Sequence, residues 1–534
     1  MNARAIQGWE DPVSKKISKP RLDRRQVLLG GAATVLVLSS RAGARAQSAP
    51  KKGGRFRLGL SLANTNDAYD PASWGTSAVV NLGLWGAVYN NLVEIGPDGQ
   101  IVPELAESIE PSGDAKTWTF KLRKGVQFHD GKTLDADDVV ASLNHHRGPD
   151  SKSAAKGLVK SIADVRADGK DTVVVTLNEG SADFPVLCSD YHLVIGAQRD
   201  GKINWDANNG TGGYKFEAYQ VGVRMTLKRN PGYWKAGRAH FDEVELLALS
   251  DPAARMSAIV AGEVDAINRV DLKALKFLEK NPDIVVEEVT GTQHFTMPMW
   301  TDTAPFTDVN VRLALKHAID REALVRTVLF GHGRPGNDSP ITPANRYFAA
   351  DIPVRQYDPD KARFYLKQAG QSSLKVDLSA ADAAFNGAVD TAVLFKEHAA
   401  KAGIDINIVR EPNDGYWTNV WLKKPFVMCY WAGRPTEDWM FSQVYAKGAD
   451  WNDTHWQNER FNQLLLAARV ELDGAKRRAM YHEMQQLVRD DGGVIIPMYA
   501  NYVDARSKKI ARGPIIGSNF DLDGWKCIER WWMA

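Results

Sequence analysis

One segment, residues 374–409, constrains the fold of this 534-residue chain more than any other. Residues 374–378 and 404–408 have the length and apolar alternation of strands, and residues 389–401 between them have the apolar spacing of a helix. A strand, a helix and a second strand within so few residues make a βαβ unit, whose two strands run parallel. The chain is therefore predicted to be an α/β protein.

The loop that leaves the first strand of this unit is a candidate binding loop. It spans residues 379–387 and carries Phe385 and Asn386. In open α/β sheets, ligands bind outside the carboxyl ends of the strands, which is where this loop must lie. We therefore expect Phe385 and Asn386 to contribute to a ligand site.

A second candidate loop follows residues 426–431, an aromatic and β-branched run that is typical of a buried strand. The run breaks at Gly433, and Arg434 and Asp438 follow. If this strand joins the sheet of the βαβ unit in parallel, both loops face one crevice. We expect Trp431 to stack on the ligand, and Gly433, Arg434 and Asp438 to belong to the same site.

Tyr69 is a candidate contact from a third loop. Residues 55–60 alternate strictly, as a half-buried strand does, and lead into a polar, turn-rich loop at residues 64–71. Aromatic side chains on such loops line pockets for organic ligands, because they bury area with little loss of entropy. The remaining predicted elements are strands at 117–123 and 172–177, helices at 134–146 and 311–329, and a domain boundary near 210–213.

Composition places the chain among ordinary soluble globular proteins, with 44% hydrophobic and 25% charged residues. No internal apolar run approaches the roughly 18–20 residues that a membrane-spanning helix needs. The net charge of +2 includes a surplus of six positive charges in residues 1–46, which leaves −4 for the remainder. Because a mildly acidic body lacks the basic face of a nucleic-acid-binding protein, we expect no nucleic-acid partner.

The sequence lacks motifs for catalysis and for resident cofactors. It contains no G-x-S-x-G, no H-E-x-x-H and no Walker A pattern. A G-x-G-x-x-G match at residues 331–336 follows a helix and has Pro335 where a helix should begin, which argues against a dinucleotide site. We expect no catalytic residue, no metal site and no cofactor. Cys188, Cys429 and Cys527 are far apart, which leaves open either one disulfide or buried free thiols.

The first 46 residues have the pattern of an export signal. A twin arginine at residues 24–25 precedes a modest apolar run at residues 27–38, and small residues at 44–46 precede a cleavage site. The pattern resembles a Tat-type signal, with Val27 in place of the usual phenylalanine. No cysteine follows the apolar run, so we expect an exported, soluble, periplasmic protein without a lipid anchor.

Four blocks of sequence, in order along the chain, carry a family resemblance. They are WTFKLRKGVQFHDGKTLDADDVVASL (118–143), GTGGYKFEAYQVGVRMTLKRNPGYW (210–234), RMSAIVAGEVDAI (255–267) and APFTDVNVRLALKHAIDREALV (304–325). Together they resemble the extracellular solute-binding proteins of dipeptide- and oligopeptide-type ABC transporters, family 5. The second block departs from the family pattern at Gly213, where proline is usual.

This resemblance implies an α/β fold of the periplasmic binding protein type II kind, with three domains, mixed sheets and an interdomain ligand cleft that closes like a clamshell. It implies a monomeric receptor, not an enzyme, whose partners are an inner-membrane ABC permease and its ATPases. The implied domains are residues 52–90, 209–290 and 495–534 (domain I), 91–208 (domain II) and 291–494 (domain III).

The chain departs from the pocket motif of this family, W-x-x-D-Y-x-x-P, three residues after Trp431. In peptide-binding members the aspartate of that motif pairs with the N-terminal amine of the peptide. Arg434 stands there in this chain, and a guanidinium repels an ammonium group but suits a carboxylate or phosphate. Glu437 or Asp438 could still supply an acid, or Arg434 could be the ion-pair partner of one of them.

We therefore expect the substrate-binding component of an ABC importer for di- or oligopeptides or a related small organic solute. The alternative ligand is a carboxylated or phosphorylated non-peptide, such as an opine or a sugar acid. A carrier of a metal complex and a secreted hydrolase are further alternatives, which metal analysis and turnover of candidate peptides would reveal.

Overall fold

The structure is a computed structural model that describes residues 50–534, apart from five positions within that range. These are Leu62, Thr76, Asp414, Gly433 and Asp450, and for Thr418 the backbone alone is described. The predicted export signal at residues 1–46 and the predicted site residue Gly433 therefore lie outside the described residues.

The strands of the described region form one large mixed sheet and several smaller sheets. In chain order they are β1 (Arg55–Leu60), β2 (Val93–Ile95), β3 (Ile101–Pro103), β4 (Ala106–Pro111), β5 (Thr117–Leu122), β6 (Ile162–Ala167), β7 (Thr172–Leu177), β8 (Gln198–Arg199), β9 (Lys202–Ile203), β10 (Tyr214–Gln220), β11 (Arg224–Arg229), β12 (Glu243–Ala248), β13 (Ala266–Ile267), β14 (Ile284–Pro298), β15 (Gly333–Pro335), β16 (Leu374–Ala380), β17 (Ile404–Arg410), β18 (Cys429–Trp431), β19 (Val494–Ser507), β20 (Ile510–Ala511) and β21 (Trp532–Met533). The large sheet has the order β10-β11-β12-β1-β13-β19-β14-β18, with β15 also paired to β19. Its longest strands, β14 and β19, run antiparallel to each other.

Helices cover the sheets and connect them. They are α1 (Ala78–Val80), α2 (Ala136–His145), α3 (Lys156–Val159), α4 (Phe184–Leu187), α5 (Pro252–Ala261), α6 (Leu275–Glu279), α7 (Val309–His317), α8 (Arg321–Thr327), α9 (Pro359–Gln368), α10 (Ala388–Ala400), α11 (Tyr416–Asn419), α12 (Glu437–Met440), α13 (Glu459–Val470), α14 (Gly474–Asp490) and α15 (Cys527–Arg530). Two π-helical segments, Asn81–Val88 and Phe441–Tyr445, extend α1 and α12. None of the described helices has the length and apolar character needed to cross a bilayer.

The predicted βαβ unit is confirmed as β16, α10 and β17. Its strands pair in parallel over their whole length, from Leu374 opposite Ile404 to Ala380 opposite Arg410. The buried face of α10 joins the hydrophobic core beneath these strands. The strands predicted at 55–60, 117–123 and 172–177 and the helix predicted at 134–146 are likewise confirmed as β1, β5, β7 and α2.

The strand predicted at residues 426–431 does not run as a parallel ladder beside the βαβ unit. β18 pairs antiparallel with β14, with Trp431 opposite His294. Parallel pairing with β16 is limited to a bridge between Ser379 and Val427, closed by backbone hydrogen bonds of 2.9 and 3.0 Å. The segment therefore starts beside β16 and ends at the edge of the large sheet, where β14 offers free backbone groups.

The single helix predicted at residues 311–329 is wrong, because two helices occupy this range. α7 ends at His317 and α8 begins at Arg321. Asp308 caps α7 as predicted, but Asp320 is a second N-cap, whose carboxylate accepts the N–H of Ala323 at 2.9 Å. Because apolar residues recur at helical spacing on both sides of the break, periodicity alone does not reveal it.

Separate hydrophobic cores lie on different parts of the chain. One core fills the sheet of β4 to β7, a second lies around β1 and the C-terminal residues, and two more occupy residues 295–500. Tyr191 packs on the second of these cores, whereas Trp431 belongs to one of the last two. Arg434 lies over the ring of Trp431, and its charge also interacts with Tyr191, so the candidate site lies where these two cores approach each other.

Candidate ligand-binding site

Trp431 and Arg434 come together at the end of β18, as the sequence predicts. The Cζ atom of Arg434 lies 5.1 Å from the ring centre of Trp431 and 5.8 Å from that of Trp451. Its Nε donates to Gln443 Oε1 at 2.9 Å, and its Nη1 donates to the carbonyl of Ala432. These contacts fix the guanidinium, while Nη2 donates no hydrogen bond to any described residue.

A connected group of aromatic side chains, the indole cluster, lies beside this guanidinium. Its members are Trp417, Trp421, Tyr430, Trp431 and Trp451, with neighbouring ring centres 5.6–5.9 Å apart. Trp431 is only 5% exposed, whereas Tyr430 is 36% and Trp417 and Trp451 are each 39% exposed. The ring that the sequence predicts to stack on a ligand is therefore covered, and the accessible ring surface belongs to Trp417, Tyr430 and Trp451. The sequence signals these three rings only through the high tryptophan content of the region.

The charge of Arg434 is partly desolvated and has no counter-ion among the described residues. Burial lowers the pKa of Arg434, against the raising effect of Tyr191, Tyr430 and Asp190 nearby. Arginine nevertheless stays protonated at any physiological pH. The carboxylate of Asp190 is engaged elsewhere, because its Oδ1 lies 2.6 Å from Nδ1 of His192. A fixed, half-buried guanidinium with an unused donor is suited to bind an anion.

The two acids of the same loop make structural contacts. Asp438 Oδ1 accepts a hydrogen bond from Arg469 Nε at 3.1 Å, and Glu437 Oε1 accepts the backbone N–H of Tyr347 at 2.7 Å. Burial raises the pKa of both carboxyl groups, that of Glu437 to about 7. Neither acid pairs with Arg434, so the structure does not contain the ion pair that the sequence left open. Both are already committed to partners, which argues against either one as a substitute anchor for an amine.

Phe385 is linked to the indole cluster through Phe295 of β14, and neither Phe385 nor Asn386 makes a contact with Arg434 among the described residues. The ring of Phe385 is buried and stacks on Phe295 with centres 3.9 Å apart and planes within 3°. Because Phe295 is paired with Tyr430 across β14 and β18, Phe385 supports the strand beneath the cluster. Asn386 is exposed next to it. In this structure Phe385 packs in the core, and the contribution of Phe385 and Asn386 to the ligand site stays a prediction.

Tyr69 lies apart from the indole cluster. It is half-buried and packs edge-on against Phe216, with ring centres 5.4 Å apart. Within the described part of the chain, Tyr69 shares no ring contact or hydrogen bond with Trp431 or Arg434. Its contribution to the ligand site stays a prediction.

A second group of rings, the C-terminal ring cluster, includes Tyr191, which interacts electrostatically with Arg434. Its members are Trp85, Tyr191, Phe520 and Trp525; Phe520 stacks on Trp525 at 4.2 Å, and the other ring centres are 6.2–6.3 Å apart. Leu522, Asp523 and Trp525 hold φ angles of 48°, 62° and 60°, so the chain makes a left-handed turn here. L-residues adopt this conformation at a cost, and such strain concentrates at functional positions. Trp525, at the end of this turn, packs edge-on against Tyr191 with ring centres 6.2 Å apart, and Tyr191 interacts electrostatically with Arg434.

One group of acids in the described region has the spacing of a metal site, and a lysine occupies it. Glu94, Glu104 and Glu529 each bring a carboxylate oxygen within 4.8 Å of the others. Nζ of Lys235 lies 2.6 Å from Glu94, 2.6 Å from Glu104 and 3.1 Å from Glu529. The three carboxylates, chiefly Glu104, raise the pKa of this buried ammonium well above its usual range despite its desolvation. The ammonium group of Lys235 therefore lies where a metal ion would, and Arg530 adds a second positive charge 2.6 Å from Glu94.

The cysteines decide between the two alternatives that the sequence leaves open. Cys188, Cys429 and Cys527 are all free and buried. Burial raises the pKa of each thiol. They are inert core residues rather than disulfide partners.

Comparison with known proteins identifies the family. The model of the bacterial extracellular solute-binding proteins, family 5, matches residues 100–453. The glutathione-binding protein GsiB of Pectobacterium atrosepticum is 25% identical over 79% of this chain and 85% of its own length. The dipeptide-binding protein of Escherichia coli K12 is 26% identical over 86% of this chain and 96% of its own length. This chain therefore belongs to the family 5 solute-binding proteins.

The fold comparison agrees with this assignment. The periplasmic binding protein AgaA from A. tumefaciens R10, solved in complex with agropinic acid, superposes with a TM-score of 0.74 and 25% identity. The superposition covers 90% of this chain and 99% of AgaA. The structure thus has the type II periplasmic binding protein fold, as the resemblance implies. Its relatives are binding proteins.

Proposed function

We propose that this chain is the periplasmic receptor of an ABC importer and that Arg434 binds an acidic group of a small organic solute. The observation that carries the proposal is the state of this guanidinium. Gln443 and the rings of Trp431 and Trp451 fix it, and Nη2, which donates to no described residue, is available for a ligand. A carboxylate or phosphate that meets a preoriented guanidinium makes short, charge-assisted hydrogen bonds.

The neutral state of a neighbouring histidine makes Arg434 the cation that a ligand meets. Burial lowers the pKa of His294 to about 4, and the charge of Arg434 contributes to that shift. His294 is therefore uncharged at neutral pH, directly opposite Trp431 in the sheet. A ligand ammonium group at this position would meet a positive charge that forms no ion pair with a described residue, whereas an anion would neutralise that charge.

The ligands named for the relatives fit an arginine anchor. Agropinic acid, bound by AgaA, is an acid by name, and glutathione and dipeptides are named for the two sequence relatives. A dipeptide ends in a carboxylate, so a dipeptide held by its C-terminus is the second candidate ligand. Glu437 and Asp438 already have hydrogen-bond partners, which favours binding of the ligand through its acidic group rather than through its amine.

The receptor would work by closure of its domains around the solute and delivery to an inner-membrane permease with its ATPases. The predicted export signal supports a periplasmic location. The three domains that the family resemblance implies would allow such a clamshell motion. Binding of one solute by one chain fits a monomer.

The experiment that tests the proposal begins with the natural ligand. The protein is purified from the periplasm of its native host and analysed by native mass spectrometry. We expect it to carry a co-purifying solute with at least one acidic group. A co-purifying solute with no acidic group would contradict the proposal.

The arginine itself is then tested by titration calorimetry with that solute. Arg434→Gln should weaken binding by more than ~10-fold, since a hydrogen bond to a charged group contributes ~1.5–3 kcal/mol. The matched control is Arg460→Gln, an exposed arginine that pairs with Glu483 at 2.7 Å on the protein surface. If the Arg434→Gln protein binds the solute as tightly as the control does, Arg434 does not bind the ligand.

A further inference from the structure

Three large aromatic rings beside Arg434 are exposed although the cluster they belong to is otherwise packed. Trp417 and Trp451 are each 39% exposed and Tyr430 is 36% exposed, while Trp431 beneath them is 5% exposed. Burial of aromatic surface is favourable, so three rings with more than a third of their surface exposed leave part of that stabilisation unused. A group of rings left open next to a binding group has the composition of a ligand wall.

The rings form one connected cluster, and Arg434 lies at one edge of it. Trp417 lies 5.6 Å from Tyr430 and 5.8 Å from Trp421, and Trp421 lies 5.8 Å from Trp451. Arg434 joins this cluster through its contact with Trp451 at 5.8 Å. An anionic group on Nη2 of Arg434 would therefore sit at the border of an aromatic wall.

We infer that the ligand carries a planar, unsaturated ring attached to the acidic group that Arg434 binds. This inference rests on the proposed function, because it takes the anion position from Arg434. The wall of Trp417, Tyr430 and Trp451 would stack on that ring. The solute class is thus an aromatic or heteroaromatic acid, either free or as the side chain of a peptide.

The charge of Arg434 decides which planar ligand fits. Aromatic cages also bind organic cations, because the faces of the rings are negative. Here the guanidinium already lies over two of the rings, at 5.1 Å from Trp431 and 5.8 Å from Trp451. A second cation would be repelled by it at short range. A neutral ring in an offset stack on the exposed rings, with its acid on Arg434, satisfies both features.

Matched probes separate the ring from the acid. N-acetylphenylalanine and N-acetylcyclohexylalanine differ only in unsaturation of the ring, and N-acetylphenylalaninamide lacks the acid. We expect the aromatic acid to bind ~3–10-fold more tightly than the saturated acid, which corresponds to the ~0.5–1.5 kcal/mol of a stacked aromatic pair. Quenching of tryptophan fluorescence and calorimetry both report this ratio.

The outcomes of this test are distinct. Equal binding of the two acids, or binding by neither, overturns the inference about the ring. Binding of the amide as tightly as the aromatic acid overturns the proposed role of Arg434 instead. Tighter binding of the aromatic acid than of the saturated acid, together with weaker binding of the amide, supports both the inference about the ring and the role of Arg434.

A variant isolates the wall from the arginine. Trp417 makes ring contacts with Tyr416, Trp421 and Tyr430 but none with Arg434. Trp417→Leu should therefore abolish most of the preference for the aromatic acid and leave the preference for acid over amide intact. The control is Phe277→Leu, a 63% exposed ring on α6 outside both clusters. An unchanged ring preference in Trp417→Leu would overturn the inference.

Discussion

Asp183 and Arg477 form an ion pair with an Oδ2–Nη2 distance of 2.7 Å, although 294 residues separate them in sequence. Asp183 immediately precedes α4, whose Phe184 lies in the core of the β4–β7 sheet, whereas Arg477 lies on α14 in another core. Both side chains are 10% exposed or less. Arg477 also donates to the hydroxyl of Tyr481 at 3.1 Å. The pair therefore links two separately packed parts of the chain.

Removal of this pair should destabilise the protein strongly. Asp183→Ala leaves the buried guanidinium of Arg477 without its counter-ion, which we expect to lower the free energy of unfolding by ~3–5 kcal/mol. The double variant Asp183→Ala/Arg477→Met should regain much of the loss, because neither charge is then buried alone. Denaturant titration monitored by fluorescence measures both.

An exposed ion pair gives the control for that experiment. Asp360 pairs with Arg363 in α9 and is 88% exposed, so Asp360→Ala should cost no more than ~1 kcal/mol. If Asp183→Ala lowers stability no more than Asp360→Ala does, the link between the two cores contributes nothing measurable.

Buried carboxyl groups should make the stability of the protein depend on pH. Burial raises the pKa of Glu437 to about 7. The folded protein therefore holds this proton more tightly than the unfolded chain, and stability is lost as pH rises from the ordinary glutamate range through about 7. Glu437→Gln should stabilise the protein relative to wild type at about pH 8 by up to ~3 kcal/mol more than at about pH 4. Denaturant midpoints at the two pH values measure the difference.

Asp453 gives a second, independent case of the same effect. Burial raises the pKa of Asp453 to about 7, and its Oδ2 accepts the indole N–H of Trp421 at 3.2 Å. Asp453→Asn should stabilise the protein more at about pH 8 than at about pH 4, as Glu437→Gln does. The double variant should show the sum of the two stabilising effects. A wild-type stability that is flat between those pH values would contradict the raised pKa of both groups.

Local patterns in the sequence predict most of the elements that surround the site. The βαβ unit is fixed by its apolar spacing, and Trp431 and Arg434 meet because three residues and one turn separate them. The direction of β18 is not predictable in this way, since its antiparallel partner β14 lies more than a hundred residues earlier. A strand pairs with whichever edge offers free hydrogen-bonding groups, and the local sequence does not contain that information.

The residues that make up the site show the same limit of prediction from local sequence. Tyr191 interacts electrostatically with Arg434 from a distant segment, and Trp525 lies in a left-handed turn that no local propensity favours. Phe385 has the expected position after β16, but its partner Phe295 comes from β14 and buries it. Residues brought together by long-range packing are thus the part of the site that periodicity and motifs cannot supply.

The cysteines give a chemical test of the packing. Cys188, Cys429 and Cys527 are each no more than 1% exposed, and burial raises the pKa of all three thiols. Because the thiolate is the reactive form, native protein should react with a colorimetric disulfide reagent far more slowly than denatured protein does. Denatured protein should release three equivalents of chromophore per chain without prior reduction. Release of only one equivalent would reveal a disulfide.

Replacement of Arg434 by aspartate should reverse the charge preference of the site. The introduced carboxylate would restore the acid of the W-x-x-D motif, and Asp190 nearby would add to the negative potential at this position. Acidic solutes should then bind more than ~10-fold more weakly, because a favourable charge-assisted hydrogen bond is replaced by repulsion. Dipeptides with a free amine should bind more tightly than their N-acetylated forms, whereas wild type should not discriminate in this direction. Arg434→Asn separates the loss of the cation from the gain of the anion: it should lose the acid preference without gaining the amine preference. An Arg434→Asp protein that still prefers acids would show that another cation, not Arg434, selects the ligand.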